Sequence, residues 1–317
     1  MEWDLKEYLA SLKYKIKNKP VKFLISLLRA GFIIGVAFVI LQPLLTKFAA
    51  SFMVEPDLYD PTVVWIPRQV TFEHYFDVWE YMDYPSALFN HLTLAVAISI
   101  MQLFSCTLVG YGLARFDFKG SSFLFGCVIF TLIVPPQLVL IPMYMNFRFF
   151  NILGLFGEEG VNLLGSYWPY VLTSLTTTGL RNGLFIYIMR QFFKGMPRQL
   201  EEAAYVDGAG AFRTFFRIML PGAIPGLVVV FLFAFVWTWN DEFFMSLFIG
   251  GQGDFLTQAL RNVAHRAVDG DHNLLHTEYA SLIRNTGMLF FIAPILFIYV
   301  FLQRYFVESI ERTGLVG

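Results

Sequence analysis

Long apolar stretches alternate with shorter polar segments along this chain. Six of them reach the length of about 20 residues that a helix needs to cross the hydrocarbon core of a bilayer. Backbone groups in lipid must be satisfied within their own segment, and the six lack the alternation of membrane barrel strands. The pattern therefore predicts an all-α integral membrane protein with six transmembrane helices at approximately Phe23 to Thr46, Asn90 to Ala114, Ser121 to Met145, Trp168 to Met189, Gly222 to Met245 and Asn285 to Gln303.

The basic residues indicate how these helices are oriented. Most of the 23 Lys and Arg residues fall near the two termini, between the second and third stretches, and between the fourth and fifth. Cytoplasmic loops of membrane proteins carry the excess of Lys and Arg. We therefore expect both termini in the cytoplasm, with residues 1–22 as a cytoplasmic N-terminal segment and residues 23–317 as one transmembrane domain.

Two longer polar segments are expected on the outer side of the membrane. The segment from Lys47 to Asp83 is acidic and contains several prolines, which is typical of an extracellular loop. A short helix is expected within it at Phe72 to Tyr81. The second outer segment runs from Gly250 to Arg284.

Three histidines make the second outer segment a candidate metal site. His265, His272 and His276 lie near Asp269 and Asp271, and such side chains can ligate a metal ion. A solvated loop rich in Asp, Asn and His is the commoner explanation. Both alternatives stay open from the sequence, although no metal is expected.

Composition narrows the class of function. The chain is 56% hydrophobic and 15% charged, whereas soluble domains are about 25% charged. Its formal net charge of -1 does not favour nucleic acid as a partner. The sequence contains no glycine-rich phosphate-binding loop, and no nucleophile, base and orienting group gather in one segment. We therefore expect a non-catalytic chain that binds no cofactor itself.

The polar segment of residues 190–221 connects the fourth and fifth stretches. Pro197 suits the first turn of a short helix, and Glu201 and Glu202 suit the positive end of that helix. A connector between two spans needs only a few residues, and this one is much longer. We therefore expect the segment to bind a partner.

The expected helix has one small, nearly flat face. Gly208 and Gly210 then permit a turn, after which a second helix can lead to the next span at Pro221. A helix-turn-helix on the cytoplasmic side is the predicted structure. Four residues at helical spacing form the flat face: Leu200, Ala203, Ala204 and Asp207.

The same segment resembles a known family. Its residues match the motif E-A-A, three residues, G, nine residues, I-x-L-P, which is typical of the cytoplasmic coupling loop in permease subunits of binding-protein-dependent ABC importers. This resemblance implies a type I ABC importer permease fold, with residues 190–221 docking as a coupling helix on an ATP-hydrolysing subunit. The residues that carry the motif, together with Asp207 beside them, are Glu202, Ala203, Ala204, Gly208, Ile218, Leu220 and Pro221.

Other motifs resemble the carbohydrate-uptake, maltose-type branch of these importers. Residues 111–120, Y-G-L-A-R-F-D-F-K-G, are similar to Y-A-L-A-R-F-x-F-x-G of that branch, and residues 189–193 to its L-R-Q-F-F. The C-terminal residues 303–317 resemble the tail of the second maltose-type permease subunit. The chain departs from the branch at His74 and His91, and its stretch Ser174 to Asn182 is longer than usual.

The resemblance also implies partners and a mechanism. It implies a second permease subunit, two ATP-binding subunits that hold ATP and Mg, and an extracytoplasmic solute-binding protein, all assembled at a prokaryotic plasma membrane. A sugar or oligosaccharide would pass between the permeases by alternating access. Within the coupling loop it implies that Glu202 contacts the ATPase, that Ala203 and Ala204 allow close approach, and that Gly208 supplies the turn.

Three residues are candidates for the substrate pathway. Arg181 falls within the fourth stretch, where a charged side chain is costly and often functional. It could bind a hydroxyl-rich or anionic solute, or it could pair with a carbonyl group. Trp239 and Asn240 belong to a segment similar to the W-N-E-F of the maltose-type branch, although an aromatic residue there is more often part of helix packing.

Two other functions remain open at this stage. An ion-coupled secondary transporter would be expected to carry carboxylates buried in its spans. In the six stretches these occur only near the end of the fifth, at Asp241 and Glu242, which disfavours that alternative. A non-transporting membrane scaffold would use the loop to dock a cytoplasmic partner, and uptake measurements would distinguish it from a permease.

Overall fold

The computed structural model describes residues 19–179, 181–250, 255–271 and 277–314. These residues are helical and irregular, apart from one antiparallel bridge between Phe150 and Val161. The run α10 contains a π-helical turn at Phe215–Met219. The helices are α1 Lys19–Ala50, α2 Glu55–Leu58, α3 Glu73–Tyr81, α4 Tyr84–Arg115, α5 Ser121–Ile133, α6 Pro136–Arg148, α7 Trp168–Leu175, α8 Asn182–Gly195, α9 Gln199–Val206, α10 Ala211–Gly222, α11 Ile224–Trp239, α12 Glu242–Phe248, α13 Leu256–Asp271 and α14 Thr277–Gly314.

The all-helical fold is confirmed over the described residues, and part of the predicted set of spans is visible. Three helices, α1, α4 and α14, are long and apolar enough to cross a membrane. Two bent pairs, α5 with α6 and α10 with α11, pass the same test together, so the described residues contain three to five candidate spans. Six spans and the orientation of the termini remain predictions.

The third predicted span is not one continuous helix. Its two halves, α5 and α6, are bent by 106° at a break between them. Pro135 and Pro136 lack the N–H group that a continuing helix would use, and Val134 before them is extended. Hydropathy alone missed this break, because prolines interrupt a helix without making the stretch less apolar.

The prediction of a single helix from Trp168 to Met189 is also wrong. Helix α7 ends at Leu175 and α8 begins only at Asn182. Thr177 has a positive φ of 59°, which a β-branched residue adopts only under local constraint. The carbonyl of Thr173 supplies that constraint, since it accepts from the backbone N–H groups of Thr178 and Gly179 and from Nδ2 of Asn182.

The fifth predicted span ends earlier than the sequence pattern indicates. Helix α11 stops at Trp239, and α12 restarts at Glu242 instead of continuing to Met245. The side chain of Asp241 caps α12, because its Oδ1 accepts a hydrogen bond of 3.1 Å from the backbone N–H of Phe244. The restart places a carboxylate at the junction between the two helices.

The described residues fall into two compact units. The first consists of those within Met1–Phe76 and Leu275–Leu289, and the second of those within Asp77–Leu274 and Phe290–Gly317. In the first unit, the apolar side chains of α1 are exposed over most of its length, as a lipid-facing or partner-facing helix requires. The segment between α1 and α4 contains α3, which confirms the short helix expected at Phe72 to Tyr81.

His74 has a packing role in the first unit. Its ring is buried, Nε2 lies 2.9 Å from the carbonyl oxygen of Met53, and the ring edge contacts Tyr279. A buried polar ring requires such a partner. The histidine at this position, where the chain departs from the maltose-type pattern, therefore stabilises the segment around Met53.

Helix α4 is the centre of the second unit. It packs against α7, α8 and α11, and an apolar cluster of α4, α8 and α11 side chains fills the space near its C-terminal half. The closest approach is at Gly110, where an added Cβ would lie 2.7 Å from Cβ of Met189 and 3.0 Å from the backbone nitrogen of Arg190. Small residues allow membrane helices to approach in this way.

We predict that Gly110→Ala destabilises the protein. The new methyl group has no space, and forcing an extra carbon into a packed core costs about 1–3 kcal/mol. The matched control is Gly112→Ala on the same helix, where the nearest atom would be Cδ2 of Phe116 at 4.0 Å. Thermal unfolding in detergent should give a lower midpoint for Gly110→Ala alone, and equal midpoints for the two variants would contradict this close contact.

Candidate coupling surface and central cavity

Residues 190–221 form the predicted helix-turn-helix. Helix α9 follows Pro197, and Gly208 takes a left-handed conformation with φ +77°. Gly208 therefore provides the turn for which its residue type is suited. The second helix, α10, continues to Gly222, and its axis differs from that of α11 by 75°, so the break before the next span lies at Ala223, two residues after Pro221.

Most of the motif residues lie on the outside of this loop. Ala204 is an exception, because it is buried within the chain and packs α9 against its own protein. Its surface is therefore not available to a partner in this structure, which differs from the role that the resemblance implied. The exposed motif residues are Glu202, Ala203, Asp207, Gly208 and Pro221, and Ile218 and Leu220 are half-buried.

An exposed apolar patch accompanies the motif. Val206 at the end of α9 is 88% exposed, and Phe212 at the start of α10 is 83% exposed. Leu200 and Tyr205 are also exposed. Apolar side chains that cluster on a polar loop are typical of a protein interaction surface. We call Leu200, Glu202, Ala203, Tyr205, Val206, Asp207 and Phe212 the coupling surface.

Glu201 ties this surface to helix α4. Its Oε1 accepts a hydrogen bond of 2.8 Å from the hydroxyl of Tyr111, and its Oε2 lies 3.3 Å from Nε of Arg115. Nη2 of Arg115 also donates to the carbonyl oxygen of Met196, at 2.7 Å. Glu201 and Arg115 are nearly inaccessible to solvent, and buried charges persist in proteins when they are paired in this way.

From the sequence, Glu201 was placed at the positive end of the helix, and its contacts with Tyr111 and Arg115 were not predicted. Tyr111 and Arg115 are one helical turn apart, so both side chains can reach the same carboxylate. A signal was present, since both residues belong to the motif at the end of the second stretch. The tyrosine ring also packs against Phe193 and Phe215, which joins α4, α8 and α10 around the start of the loop.

A small cavity lies farther along the same unit. It is lined by side chains of α4, α7, α8 and α11 and by the break between α7 and α8. Its volume of about 60 Å³ holds a few water molecules, whereas pockets for small organic ligands begin at about 300 Å³. The side chains that matter most for its chemistry are Tyr170, Thr173, Ser174, Arg181, Trp237 and Asp241.

Arg181 lines this cavity. Its Nη1 donates to the carbonyl oxygen of Trp237 at 3.3 Å, and its guanidinium lies 5.1 Å from the centre of the Trp237 ring. The carbonyl contact matches the structural alternative considered from the sequence. The side chain nevertheless remains exposed, so this contact does not exclude a role in the substrate pathway.

Trp239 and Asn240 differ from the other candidates for the pathway. Trp239 is fully buried, its Nε1 donates to the carbonyl oxygen of Phe291, and its ring packs edge-to-face with His91 at 4.6 Å. It therefore offers no free ring face to a solute in this structure. Asn240 is exposed, and its Nδ2 donates to the carbonyl oxygen of Val236 at the end of α11.

The candidate metal site is only partly within the described residues. His265 is exposed on α13, so the first part of this segment is an amphipathic helix and not the expected loop. Val263 and Ala267 on the opposite face of α13 are buried, which explains why the segment folds. The described residues contain no group of side chains that could hold a metal ion, and His272 and His276 lie outside them.

The chain matches a known family of transport proteins. The family described as binding-protein-dependent transport system inner membrane component matches residues 106–312. The osmoprotective compounds uptake permease protein GgtD of Synechocystis sp. is 31% identical over 88% of this chain and 88% of its own length. The arabinooligosaccharides transport system permease protein AraQ of Halalkalibacterium halodurans is 26% identical over 95% of this chain and the whole of its own.

One solved structure is also similar. A crystal structure of a bacterial ABC transporter involved in the import of the acidic polysaccharide alginate contains a chain that matches with a TM-score of 0.69. The alignment covers 89% of this chain and 96% of that one, at 20% identity. At this level of identity the match supports the fold.

Proposed function

We propose that this chain is the permease subunit of an ATP-driven importer and that residues 190–221 couple it to the ATP-binding subunits. The chain belongs to the family of inner membrane components of binding-protein-dependent transport systems. It is not an enzyme, and partner subunits hydrolyse the ATP. The observation that carries the proposal is the coupling surface, which is exposed for a partner and fixed to α4 through Glu201.

The coupling surface is the docking site for an ATP-binding subunit. Exposed Glu202 and Asp207 offer two carboxylates, Ala203 lets a partner approach closely, and Val206 and Phe212 add apolar contact area. Gly208 keeps α9 and α10 at their angle. Ala204 has an internal role and packs α9 onto the chain, while Ile218, Leu220 and Pro221 lead the loop towards α11.

Movement passes from the coupling surface to the spans through two paths. One is the buried ion pair between Glu201 and Arg115, which connects α9 to α4. The other is α10, which continues towards α11 with a bend at Ala223. Closure of the ATP-bound partners would therefore displace both helices, as alternating access requires.

The complete importer contains other chains. We infer a second permease subunit, two ATP-binding subunits that hold ATP and Mg, and an extracytoplasmic solute-binding protein. The transmembrane domain of residues 23–317 then has six spans, three of them broken, with both termini and residues 190–221 in the cytoplasm of a prokaryotic cell. Residues 1–22 form the cytoplasmic N-terminal segment.

The solute is a sugar, an oligosaccharide or a related polyhydroxylated compound. The names of the relatives support this inference, because AraQ is described as transporting arabinooligosaccharides and GgtD as taking up osmoprotective compounds. The cavity beside Arg181 adds support, since it combines hydroxyl groups, charges and an indole ring, which suit a sugar.

Native mass spectrometry of the complex, isolated gently through a tag on this chain, tests the proposed function. We expect a four-subunit core that contains this chain, a related permease and two ATP-binding subunits. The isolation should be repeated after crosslinking in cells, so that weakly bound subunits are retained. Recovery of this chain without any ATP-binding subunit under both conditions would contradict the proposal and favour a scaffold or an ion-coupled transporter.

A further inference from the structure

The small cavity beside Arg181 is lined by charges of both signs. The guanidinium of Arg181 and the carboxylate of Asp241 both line it. The indole ring of Trp237 forms another part of the wall. A solute that enters would meet a positive and a negative group together, beside an aromatic face.

Asp241 is held at a fixed position. Its Oδ1 caps α12 by accepting from the backbone N–H of Phe244, and its Oδ2 accepts a hydrogen bond of 3.2 Å from the hydroxyl of Tyr170. These two bonds come from two different helices. The carboxylate is therefore a fixed part of the cavity wall.

Arg181 keeps donors available for a ligand. A guanidinium has five N–H donors, and the hydrogen bonds found among the described residues use one of them, to the carbonyl oxygen of Trp237. The contact with the Trp237 ring holds the guanidinium plane in place. The other donors can serve acceptors that are not part of this chain.

Ser174 gives an independent indication of a ligand. The residue is 1% exposed and lines the cavity, and within the described part of the chain its hydroxyl has no hydrogen-bond partner. Buried hydroxyl groups are ordinarily satisfied by protein, water or ligand. A hydroxylated molecule in the cavity would satisfy this group.

We propose that this cavity binds a neutral, hydroxyl-rich portion of the transported solute, and that Asp241 is the residue that disfavours acidic solutes. A sugar hydroxyl can accept from Arg181 and donate to Asp241 at the same time. A solute carboxylate could accept from Arg181, but Asp241 would repel it. This inference rests on the proposed function, which it extends to a class of substrate.

The cavity is large enough for only part of the solute. About 60 Å³ accommodates a few hydroxyl groups at one edge of a sugar, not a whole ring. The rest of the binding site must then come from the second permease subunit or from another conformation of this chain. The cavity is thus a subsite, and it contributes to selectivity more than to total affinity.

Binding of two probes to the purified complex, without its solute-binding protein, tests the proposal. The probes are maltotriose, which is neutral, and trigalacturonic acid, which is acidic, and saturation-transfer NMR titrations give a dissociation constant for each. We expect maltotriose to bind more tightly by about tenfold or more, because like charges in a binding site are strongly unfavourable. Equal binding, or tighter binding of the acidic probe, would overturn the proposal.

Asp241→Asn is the decisive variant. Asparagine caps a helix as well as aspartate does, so the fold is retained while the charge is removed, and the preference for maltotriose should fall by about tenfold. The matched control is Glu242→Gln at the next residue, an exposed carboxylate that pairs with Arg261, and it should leave the preference unchanged. An unchanged preference in Asp241→Asn would overturn the assignment.

Failure of this inference can be distinguished from failure of the proposed function. If neither probe binds the wild-type complex, the subsite is wrong. The composition of the complex from native mass spectrometry is independent of either probe, and a four-subunit core would still support the permease. If that core is also missing, both conclusions fail.

Discussion

Glu201→Ala is expected to reduce uptake by more than tenfold and to destabilise the protein. The substitution leaves the guanidinium of Arg115 buried without its carboxylate, and it removes the acceptor of the Tyr111 hydroxyl. Breaking a buried ion pair from one side costs about 3–5 kcal/mol. Helix α9 should then detach from α4, so uptake should fall by more than tenfold and the thermal midpoint of the complex should decrease.

Two further variants separate the parts of this effect. Tyr111→Phe keeps the aromatic packing and removes one hydrogen bond, which should cost only about 1 kcal/mol. Glu202→Ala changes the adjacent, exposed carboxylate and should shift stability by no more than about 0.5 kcal/mol. Thermal unfolding and uptake measured side by side give the comparison. If Glu201→Ala unfolds at the same temperature as Glu202→Ala, the stabilising role of the buried pair between Glu201 and Arg115 is wrong.

The contacts of Glu201 with Tyr111 and Arg115 show what the sequence could and could not predict about the site. The motif located the loop, its helix and the turn at Gly208, because local residue types determine these features. The bond between Tyr111 and Glu201 joins positions 90 residues apart. A single sequence contains no direct signal for such a pair, so the role of Glu201 in joining α9 to α4 was not predicted.

The positions of the long helices could be predicted from local sequence, whereas most of the helix breaks could not. Apolar stretches gave the positions of α1, α4 and α14 well, because the length and hydropathy of a span are properties of the segment itself. The breaks at Pro135, at Thr176 to Arg181 and at Asp241 do not change the hydropathy. The pair Pro135 and Pro136 could have been recognised, whereas the backbone turn at Thr177 depends on bonds to Thr173.

Two tryptophans illustrate why pathway residues were difficult to assign. Trp237 and Trp239 are two positions apart on α11, which places them on nearly opposite faces of a helix. Trp237 lines the cavity with Arg181, and Trp239 is buried against His91 and Phe291. The sequence does not show which of the two rings faces the cavity, because packing determines how the helix is rotated about its axis.

The second large effect is expected from Glu202→Lys. The residue is exposed, and among the described residues its side chain forms no hydrogen bond or ion pair. The fold and the membrane insertion should therefore be unaffected. Reversing a charge on a docking surface places like charges together, which costs several kcal/mol. Uptake should therefore fall by more than tenfold, with the thermal midpoint of this chain unchanged.

Gly208→Val should give a similar loss of uptake for a different reason. A β-branched residue is strained at the φ of +77° that Gly208 adopts. The angle between α9 and α10 would change, and the coupling surface would no longer fit its partner. Gly210→Val is the matched control, because Gly210 has an extended conformation with φ -77° and an added Cβ would have open space.

Photocrosslinking from position 212 tests directly whether this loop docks on an ATP-binding subunit. A photoreactive phenylalanine derivative replaces Phe212, an exposed aromatic residue of the coupling surface, and a second protein carries it at Lys119, on the exposed turn after α4. We expect an adduct between position 212 and an ATP-binding subunit, weaker adducts from position 119, and loss of the position-212 adduct when Glu202→Lys is added. Absence of that adduct from an assembled, inserted complex would contradict coupling through this loop.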